Sequence, residues 1–302
     1  MFLGEGRFSS PRTVEVDGQF LRFKRAVIAT GGRATAPPIP GLAEVDYLTN
    51  ETLFWLTALP ARLLIIGGGP IGSEMAQAFS RFGSRVTIFE TSPHLLARED
   101  PDAAAIVQRR FGAEGIHLEL GVTLTRVDTR DVCSRFKFTH AADAMARIVI
   151  QNALFHGRRK ASALVIPWAT CTDPGIAHVG LYEGEAREAG RAVETITVEL
   201  KDVDRAVLDD DTEGFVRVHH EKGRLLGCTM VSAHAGEMIG EASYALTHGG
   251  KPGQFSATVH PYPTEAEAFR MAGDRYRRTA LTPTTARWRS RYFRWTRGGS
   301  GS

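Results

Sequence analysis

The sequence predicts an α/β fold in which a parallel βαβ region precedes an α+β region with an antiparallel sheet. Residues 63–66 and 86–89 are short apolar runs without polar alternation, which is typical of strands buried on both faces of a parallel sheet. A helical pattern of apolar residues separates the two runs, so the predicted order is βαβ. From residue 162 onward short strand and helix patterns mix, which favours an antiparallel sheet.

Length and composition indicate a folded chain of about two domains. The 302 residues are 43% hydrophobic and 24% charged, which excludes a disordered chain, a collagen-like repeat and a small disulfide scaffold. The net charge is +3, but residues 287–302 hold five arginines and no acid, so residues 1–286 have a net charge of −2. Nucleic acid is therefore not an expected partner of residues 1–286.

Cysteine usage and the N-terminus favour a cytoplasmic protein. Cys133, Cys171 and Cys228 are odd in number and widely spaced, so neither a disulfide framework nor a metal site is predicted. The first residues lack the charged and apolar segments of a secretory signal. No apolar run approaches the ~18–20 residues that a membrane span needs.

The N-terminal segment is predicted to contain a hairpin, a strand and a linker. Asp17-Gly18 is a strong two-residue turn signal, so we expect a β-hairpin around it. Residues 26–30 are predicted to form a buried strand that ends at Gly31. Residues 37–42 are rich in proline and are interpreted as a linker.

The parallel region continues through two helices. The first helix is predicted to end at Gly83 and to bury one apolar face. That face consists of Ile71, Met75, Ala78, Phe79 and Phe82. A second helix at about residues 102–114 and a strand at 117–120 complete the order βαβαβ.

The second half has shorter elements. A helix is predicted over 141–155, with Thr139 near its start. Strands are predicted at 164–168, 195–200, 215–219 and 225–231, and helices near 182–189 and 237–247. The turn at 221–224 is predicted to join two of these strands in a hairpin.

A glycine-rich turn follows the first parallel strand. Gly67, Gly69 and Gly72 form the pattern GxGxxG between that strand and the first helix, which is the context of a Rossmann-type dinucleotide-binding domain. The first glycine permits a tight turn, the second lets a pyrophosphate approach the backbone, and the third lets helix and strand pack closely. The helix N-terminus then offers N–H groups to the phosphates.

The second parallel strand ends in an acid that bears on the choice of nucleotide. Glu90 lies 23 residues after Gly67, where a carboxylate can accept hydrogen bonds from both ribose hydroxyls. The same carboxylate would repel a 2′-phosphate, so NAD is favoured over NADP. His94 and Arg98 are near enough in sequence to keep NADP open.

Three motifs in order carry a resemblance to a known family. They are ATGG at 29–32, GGGPIGSEMAQAF from Gly67 and HPYPTEAEAF from His260. Together they resemble the pyridine nucleotide-disulfide oxidoreductases, most of all the mercuric reductase-like and dihydrolipoamide dehydrogenase-like branch. The resemblance implies a homodimeric enzyme that binds FAD and NAD(P)H and passes hydride from the nicotinamide to the flavin and on to an acceptor that the motifs do not identify.

The resemblance also implies a division of the chain. Residues 1–42 correspond to a remnant of the FAD domain, 43–130 to a truncated NAD(P)-binding domain and 131–283 to the dimerisation domain. Residues 284–302 form a basic aromatic tail.

The resemblance implies a set of flavin contacts. Thr30 and Gly31 match the loop near FAD where the chain leaves the first domain. Asp131 matches the aspartate that binds the ribityl chain. Thr139 and His140 match the start of a helix whose N–H groups face the pyrimidine edge of the flavin, where the helix dipole would stabilise a reduced, anionic flavin.

Candidate catalytic residues follow from the same resemblance. Tyr262 takes the place of the acid/base histidine of many disulfide reductases, and Glu267 matches the glutamate that orients that histidine. His260 lies two residues before Tyr262. Glu74 matches the glutamate beside the nicotinamide.

The sequence departs from the family in ways that keep other functions open. It lacks the N-terminal FAD-binding segment and the redox-active cysteine pair, and a stretch between about 126 and 131 is shortened. A truncated, catalytically inactive NAD-binding dimer is therefore an alternative. A peripheral membrane-associated protein is a third hypothesis, because Trp288, Tyr292 and Trp295 recur at i, i+4 and i+7 among arginines. Such a helix could also bind nucleic acid or pack on the dimerisation domain.

Overall fold

The structure is a computed structural model that describes residues 1–124, 147, 148, 150–152, 158, 160, 163–279 and 283–297, with side chains of the last segment over 287–294. The chain divides into two compact units: residues 1–33 with 137–164, and residues 34–136 with 165–302. The predicted domain boundaries after residues 42, 130 and 283 follow the family resemblance and stay predictions. Within the described residues, none of the helices combines the length and the hydropathy that a membrane span requires.

The first unit contains a small antiparallel sheet. Its strands are β1 (Gly6–Ser10), β2 (Thr13–Val16) and β3 (Gln19–Arg22), paired in that order. Asp17 and Gly18 join β2 to β3 with φ values of 47° and 77°, so the predicted hairpin is confirmed. Residues 147, 148 and 150–152 are helical, and the rest of the helix predicted at 141–155 lies outside the described residues.

The strand predicted at residues 26–30 is wrong. These residues have no regular secondary structure, and Val27 and Ile28 are 63% and 71% exposed. A run that is apolar on both faces needs neighbouring strands to bury it. The described sheet of this unit ends at β3 and does not pair with the run.

The second unit begins with a parallel sheet. Its strands are β4 (Arg62–Ile66), β5 (Arg85–Glu90) and β6 (His117–Leu120), in chain order. They are connected by α1 (Pro70–Phe82) and α2 (Pro101–Ala113). The predicted order βαβαβ is thus confirmed. Gly83 ends α1 with a φ of 106°, as the sequence predicts.

The buried face of α1 differs from the predicted apolar face. The predicted face is only partly buried, and Phe82 at its end is 68% exposed. The fully buried side chains are instead Ser73, Ala76 and Gln77. The cause is a close approach at Gly72, where a Cβ would lie 2.0 Å from the carbonyl oxygen of Gly67. This approach keeps α1 close to the turn beside Ser73, whereas Gln77 is buried where its amide bonds the backbone of Asp173. Met75 and Phe79 of the predicted face pack against the core while partly exposed.

The rest of the second unit contains an antiparallel sheet and further helices. The strands are β7 (Trp168–Thr170), β8 (Gly175–Gly180), β9 (Glu194–Glu199), β10 (Phe215–Glu221) and β11 (Arg224–Ser232), paired in the order β7-β8-β11-β10-β9. The helices are α3 (Glu183–Glu188), α4 (Asp204–Leu208), α5 (Ala235–Thr247), α6 (Pro252–Phe255), α7 (Glu267–Thr279) and α8 (Pro283–Arg297). The hairpin predicted at 221–224 is confirmed. The strand predicted at 164–168 begins only at Trp168.

The antiparallel sheet buries its two faces against different partners. One face packs against α5 and α7 in a core that includes Met230 and Phe269. The other face shares a core with the parallel sheet region through Ile176, Phe215 and Val231. The two sheets are therefore parts of one packed body.

The antiparallel sheet also buries histidines. His178 and His219 have no exposed surface. Nε2 of His178 lies 3.1 Å from the carbonyl oxygen of Gly180, so it carries the proton, and Nδ1 lies 2.8 Å from the hydroxyl of Thr229. Burial lowers the pKa of His178 and of His219 to about 4.

We expect the free energy of unfolding to fall as the pH decreases from about 6.5 to about 4. In that range both histidines stay neutral in the folded protein, while the unfolded chain binds protons. Each histidine therefore contributes a loss of about 1.4 kcal/mol per pH unit. Urea denaturation between pH 7 and 5 measures the slope. His219→Gln should make it shallower, and the exposed control His117→Gln should not. An identical slope in both variants would contradict the assignment.

Candidate dinucleotide-binding site

The turn between β4 and α1 is built around two glycines. Gly67 has a φ of 101°, a conformation that favours glycine, and its N–H donates to the carbonyl oxygen of Phe89 at 2.8 Å. Gly72, in the first turn of α1, lies against the carbonyl of Gly67. The result is a tight turn with a closely packed helix.

Gly69 leaves open space in front of α1. It is the N-cap of the helix, and a Cβ at Gly69 would meet no atom within 4 Å. Within the described chain, no side chain caps the helix at this position. The N–H groups of the first turn and the positive end of the helix dipole therefore adjoin a space that suits a phosphate.

Glu90, the last residue of β5, holds the turn from the other side. Its Oε2 accepts from the N–H of Gly68 at 2.7 Å, and its Oε1 accepts from the N–H of Ser92 at 2.8 Å. Burial acts to raise the pKa of Glu90, but these two hydrogen bonds, together with those from the hydroxyls of Thr91 and Ser92, outweigh it and the pKa is lowered. Glu90 is thus an ionised, partly buried carboxylate beside the turn. Of the neighbours that kept NADP open, His94 contacts a backbone carbonyl and Arg98 is exposed.

One face of α1 holds the loop between β7 and β8. Oε1 of Glu74 accepts from the N–H of Cys171 at 2.7 Å. The amide of Gln77 bonds both backbone groups of Asp173, at 2.8 Å to the N–H and 2.9 Å to the carbonyl. Arg81 reaches the carboxylate of Asp173 at 2.8 Å. Burial raises the pKa of Glu74, and the hydrogen bond from Cys171 offsets this only in part.

The role of Gln77 and Arg81 was not predicted from the sequence. Their spacing with Glu74 places all three on one helical face, which is visible in the sequence. Their partner loop lies more than 90 residues away along the chain, and no local signal indicates it. We call Glu74, Gln77 and Arg81, with the loop they bind, the clamp. The clamp fixes α1 along its length and leaves its N-terminus accessible.

The three candidate catalytic residues make separate contacts within the protomer. Tyr262 is 69% exposed and its hydroxyl donates to Asp204 at 2.9 Å, a hydrogen bond that raises the pKa of Tyr262. The side chain of His260 is 5% exposed, with Nε2 3.0 Å from Oε1 of Glu241 on α5. Glu267 pairs with an arginine one turn along α7. Among the described contacts, none of the three hydrogen-bonds to another.

Of the expected flavin contacts, only Thr30 and Gly31 lie in the described part of the chain. Both are exposed in a segment without regular structure. Asp131, Thr139 and His140 lie outside the described residues. The open turn at Gly69, in contrast, fits a dinucleotide phosphate.

Two regions of the chain match family descriptions. Residues 1–156 match pyridine nucleotide-disulphide oxidoreductase, and residues 166–272 match the dimerisation domain of the same family. The first match contains the glycine turn, and the second contains Tyr262 and Glu267. A dimerisation domain supports a homodimer.

Curated relatives extend this result. The mercuric reductase of Streptomyces lividans is 34% identical over 83% of this chain and 67% of its own length. The mercuric reductases of Bacillus cereus and Lysinibacillus sphaericus are both 30% identical over 89% of this chain, and the matches cover 54% and 62% of those proteins. The chain thus spans between about half and two thirds of the length of these relatives.

Solved structures confirm the predicted fold class. The HOCl-induced flavoprotein disulfide reductase RclA from Escherichia coli superposes with a TM-score of 0.78 at 23% identity, over 88% of this chain and 77% of that one. LpdA from Mycobacterium tuberculosis gives a TM-score of 0.74 at 22% identity, over 90% of this chain and 76% of that one. At this level of identity the likeness establishes the fold.

Two alanine substitutions in the turn should differ sharply in stability. Gly72→Ala should lower the free energy of unfolding by about 2 kcal/mol or more, because its Cβ would lie 2.0 Å from a backbone oxygen. Gly69→Ala has open space and a φ of −73°, so it should stay within about 0.5 kcal/mol of the parent. Urea denaturation without nucleotide measures both. Equal destabilisation would contradict the close approach at Gly72.

Proposed function

The chain belongs to the pyridine nucleotide-disulphide oxidoreductase family, and from that premise we propose that it is an FAD-dependent NAD(P)H oxidoreductase. The observation that carries the proposal is the glycine turn, with open space at Gly69 before the N-terminus of α1. This turn would hold the pyrophosphate of the nicotinamide nucleotide. FAD, when bound, would supply the redox chemistry by accepting the hydride.

The proposal includes NAD as the favoured nucleotide. Glu90 is ionised, and a carboxylate has about four lone-pair sites, so its two oxygens can accept from ribose hydroxyls in addition to the backbone N–H groups. A 2′-phosphate at the same place would meet a like charge. Glu74 would lie beside the nicotinamide, five residues beyond Gly69 in the sequence.

The proposal also assigns the acceptor side to a homodimer. Tyr262, with His260 and Glu267, would reach the flavin of the partner subunit. The exposure of this region supports the assignment, since Val259 is 93% exposed and Tyr244 on α5 is 70% exposed. The curated relatives are mercuric reductases, so Hg(II) is the first acceptor to test.

One observation favours a second candidate, an NAD-binding dimer without turnover. Among the described residues, Cys171 is exposed and Cys228 is buried, and both are free thiols. The third cysteine, Cys133, is 38 residues from Cys171 in the sequence. No close cysteine pair is therefore present in this sequence to relay electrons from a flavin.

The visible spectrum of the purified protein, before and after anaerobic NADH, decides between the two candidates. A flavin band near ~450 nm that bleaches supports the oxidoreductase. A protein that stays colourless after added FAD, yet binds NADH, contradicts it and supports the second candidate. Gly69→Asp serves as the control in either case, because a carboxylate in the phosphate space should abolish NADH binding.

Glu90→Gln should shift the nucleotide preference towards NADPH. Loss of the like charge should change the ratio of the NADH and NADPH dissociation constants by about tenfold, which corresponds to about 1.4 kcal/mol. A general loosening of the turn would weaken the binding of both nucleotides alike, so it would leave the ratio of the two dissociation constants unchanged. Fluorescence titration with both nucleotides measures it, and Glu194→Gln, an exposed acid on β9, is the matched control. A ratio that does not move would contradict the role of Glu90.

A further inference from the structure

The last helix, α8, exposes every side chain that is described in it, from residue 287 to 294. Trp288 is 70% exposed and Tyr292 is 59% exposed. Single exposed aromatic residues are ordinary, but neighbouring ones on a single helix mark a contact surface. α8 therefore presents exposed aromatic rings to the surroundings of the protein.

The aromatic and basic residues of α8 follow one spacing. Residues 288, 292 and 295 recur at i, i+4 and i+7, so they fall on one side of the helix. Residues 287, 291 and 294 are arginines with the same spacing, one position earlier, and form an adjoining stripe. Arg289 falls on the opposite border of the aromatic stripe. Arginine thus flanks the aromatic side on both edges.

The charge of this end of the chain has one sign. No acid follows Asp274 in the sequence, and α8 itself contains five arginines. Residues 1–286, in contrast, have a net charge of −2. The complement of α8 is therefore a surface that is anionic and that also accepts aromatic side chains.

We propose that α8 lies in the interface of an anionic lipid membrane and attaches the protein to it peripherally. Tryptophan and tyrosine prefer the headgroup region, where one end of the ring system is apolar and the other is wet. The flanking arginines can extend their alkyl stems along the apolar side and place their guanidinium groups among lipid phosphates. The 15 residues of α8, five of them arginine, suit a helix that lies along the surface.

Two other occupants fit less well. Pairing of α8 with the α8 of a second copy would bring arginine stripes against each other. A nucleic acid complements arginine, but the residues on the contact side are aromatic and the arginines border them. An anionic membrane has an apolar interior beneath charged headgroups, so it matches an aromatic side bordered by arginines better than a nucleic acid does.

Cosedimentation of the full chain with lipid vesicles tests the proposal. Vesicles of 70% phosphatidylcholine and 30% phosphatidylserine should bind the protein at least about tenfold more tightly than pure phosphatidylcholine vesicles. Raising the salt from 0.1 M to 0.5 M should weaken the binding, because screening shortens the reach of the charges. Absence of binding to the anionic vesicles, or equal binding to both kinds, overturns the proposal.

Variants locate the binding surface. Replacement of Arg287, Arg291 and Arg294 by Gln should weaken vesicle binding about a hundredfold, at about fivefold per arginine. Trp288→Ser with Tyr292→Ser should weaken it at least about tenfold. The matched control replaces the three exposed arginines Arg7, Arg12 and Arg22 of the β1–β3 sheet by Gln, which changes the net charge equally and should retain binding.

Two outcomes of these variants would overturn the proposal. Equal loss in the control would mean that net charge alone drives binding. Tighter binding of the full chain to a single-stranded oligonucleotide than to anionic vesicles, lost on the same arginine substitutions, would assign the helix to nucleic acid instead. Unchanged NADH binding in all variants verifies that the second unit remains folded.

Discussion

Two neighbouring buried acids, Glu99 and Asp100, join the two sheets of the second unit, and the placement of the candidate site depends on them. They are 7% and 8% exposed. Glu99 accepts from the indole N–H of Trp168 at 3.0 Å and from the hydroxyl of Tyr182 at 2.6 Å. Asp100 caps α2 and pairs with Arg217 of β10 at 2.6 Å. Because a buried carboxylate is costly unless its oxygens have partners, the loop after β5 is held in one position against the antiparallel sheet.

The glycine turn between β4 and α1 is held by contacts on two sides. The loop starts at Glu90, whose carboxylate receives the N–H of Gly68. On the other side, Gln77 and Arg81 bind α1 to a second loop, the one between β7 and β8, at Asp173. These contacts fix the turn through the protein itself, which would lower the ordering cost of binding a nucleotide at the proposed site. The clamp contacts the body of α1 and not its first N–H groups, so rigidity and an accessible phosphate space coexist.

The activity proposed for this chain would draw on two regions of the molecule, the glycine turn and the segment around Tyr262. The proposed nucleotide site, the glycine turn with Glu90, lies within the second unit. On the acceptor side, Tyr262 and His260 are each tied to an acid of their own region, Asp204 and Glu241, and Tyr262 points its exposed ring away from the protomer core. In the proposed homodimer, these residues would lie at the surface that contacts the second subunit. α8 differs from both regions, because its exposed aromatic residues lie between arginines. None of the residues proposed for the nucleotide site lies on α8.

The sequence alone determined the βαβαβ order, the hairpin at Asp17-Gly18 and the glycine turn with Glu90, because each depends on local periodicity, on backbone conformations that glycine favours, or on strand ends. Only the tertiary structure decided which face of α1 is buried, that residues 26–30 form no strand, and that Gln77 and Asp100 bind partners across the unit. These features depend on residues distant in the chain. Burial and hydrogen bonding act through space, and a one-dimensional pattern contains no record of which distant group will satisfy a buried amide or carboxylate.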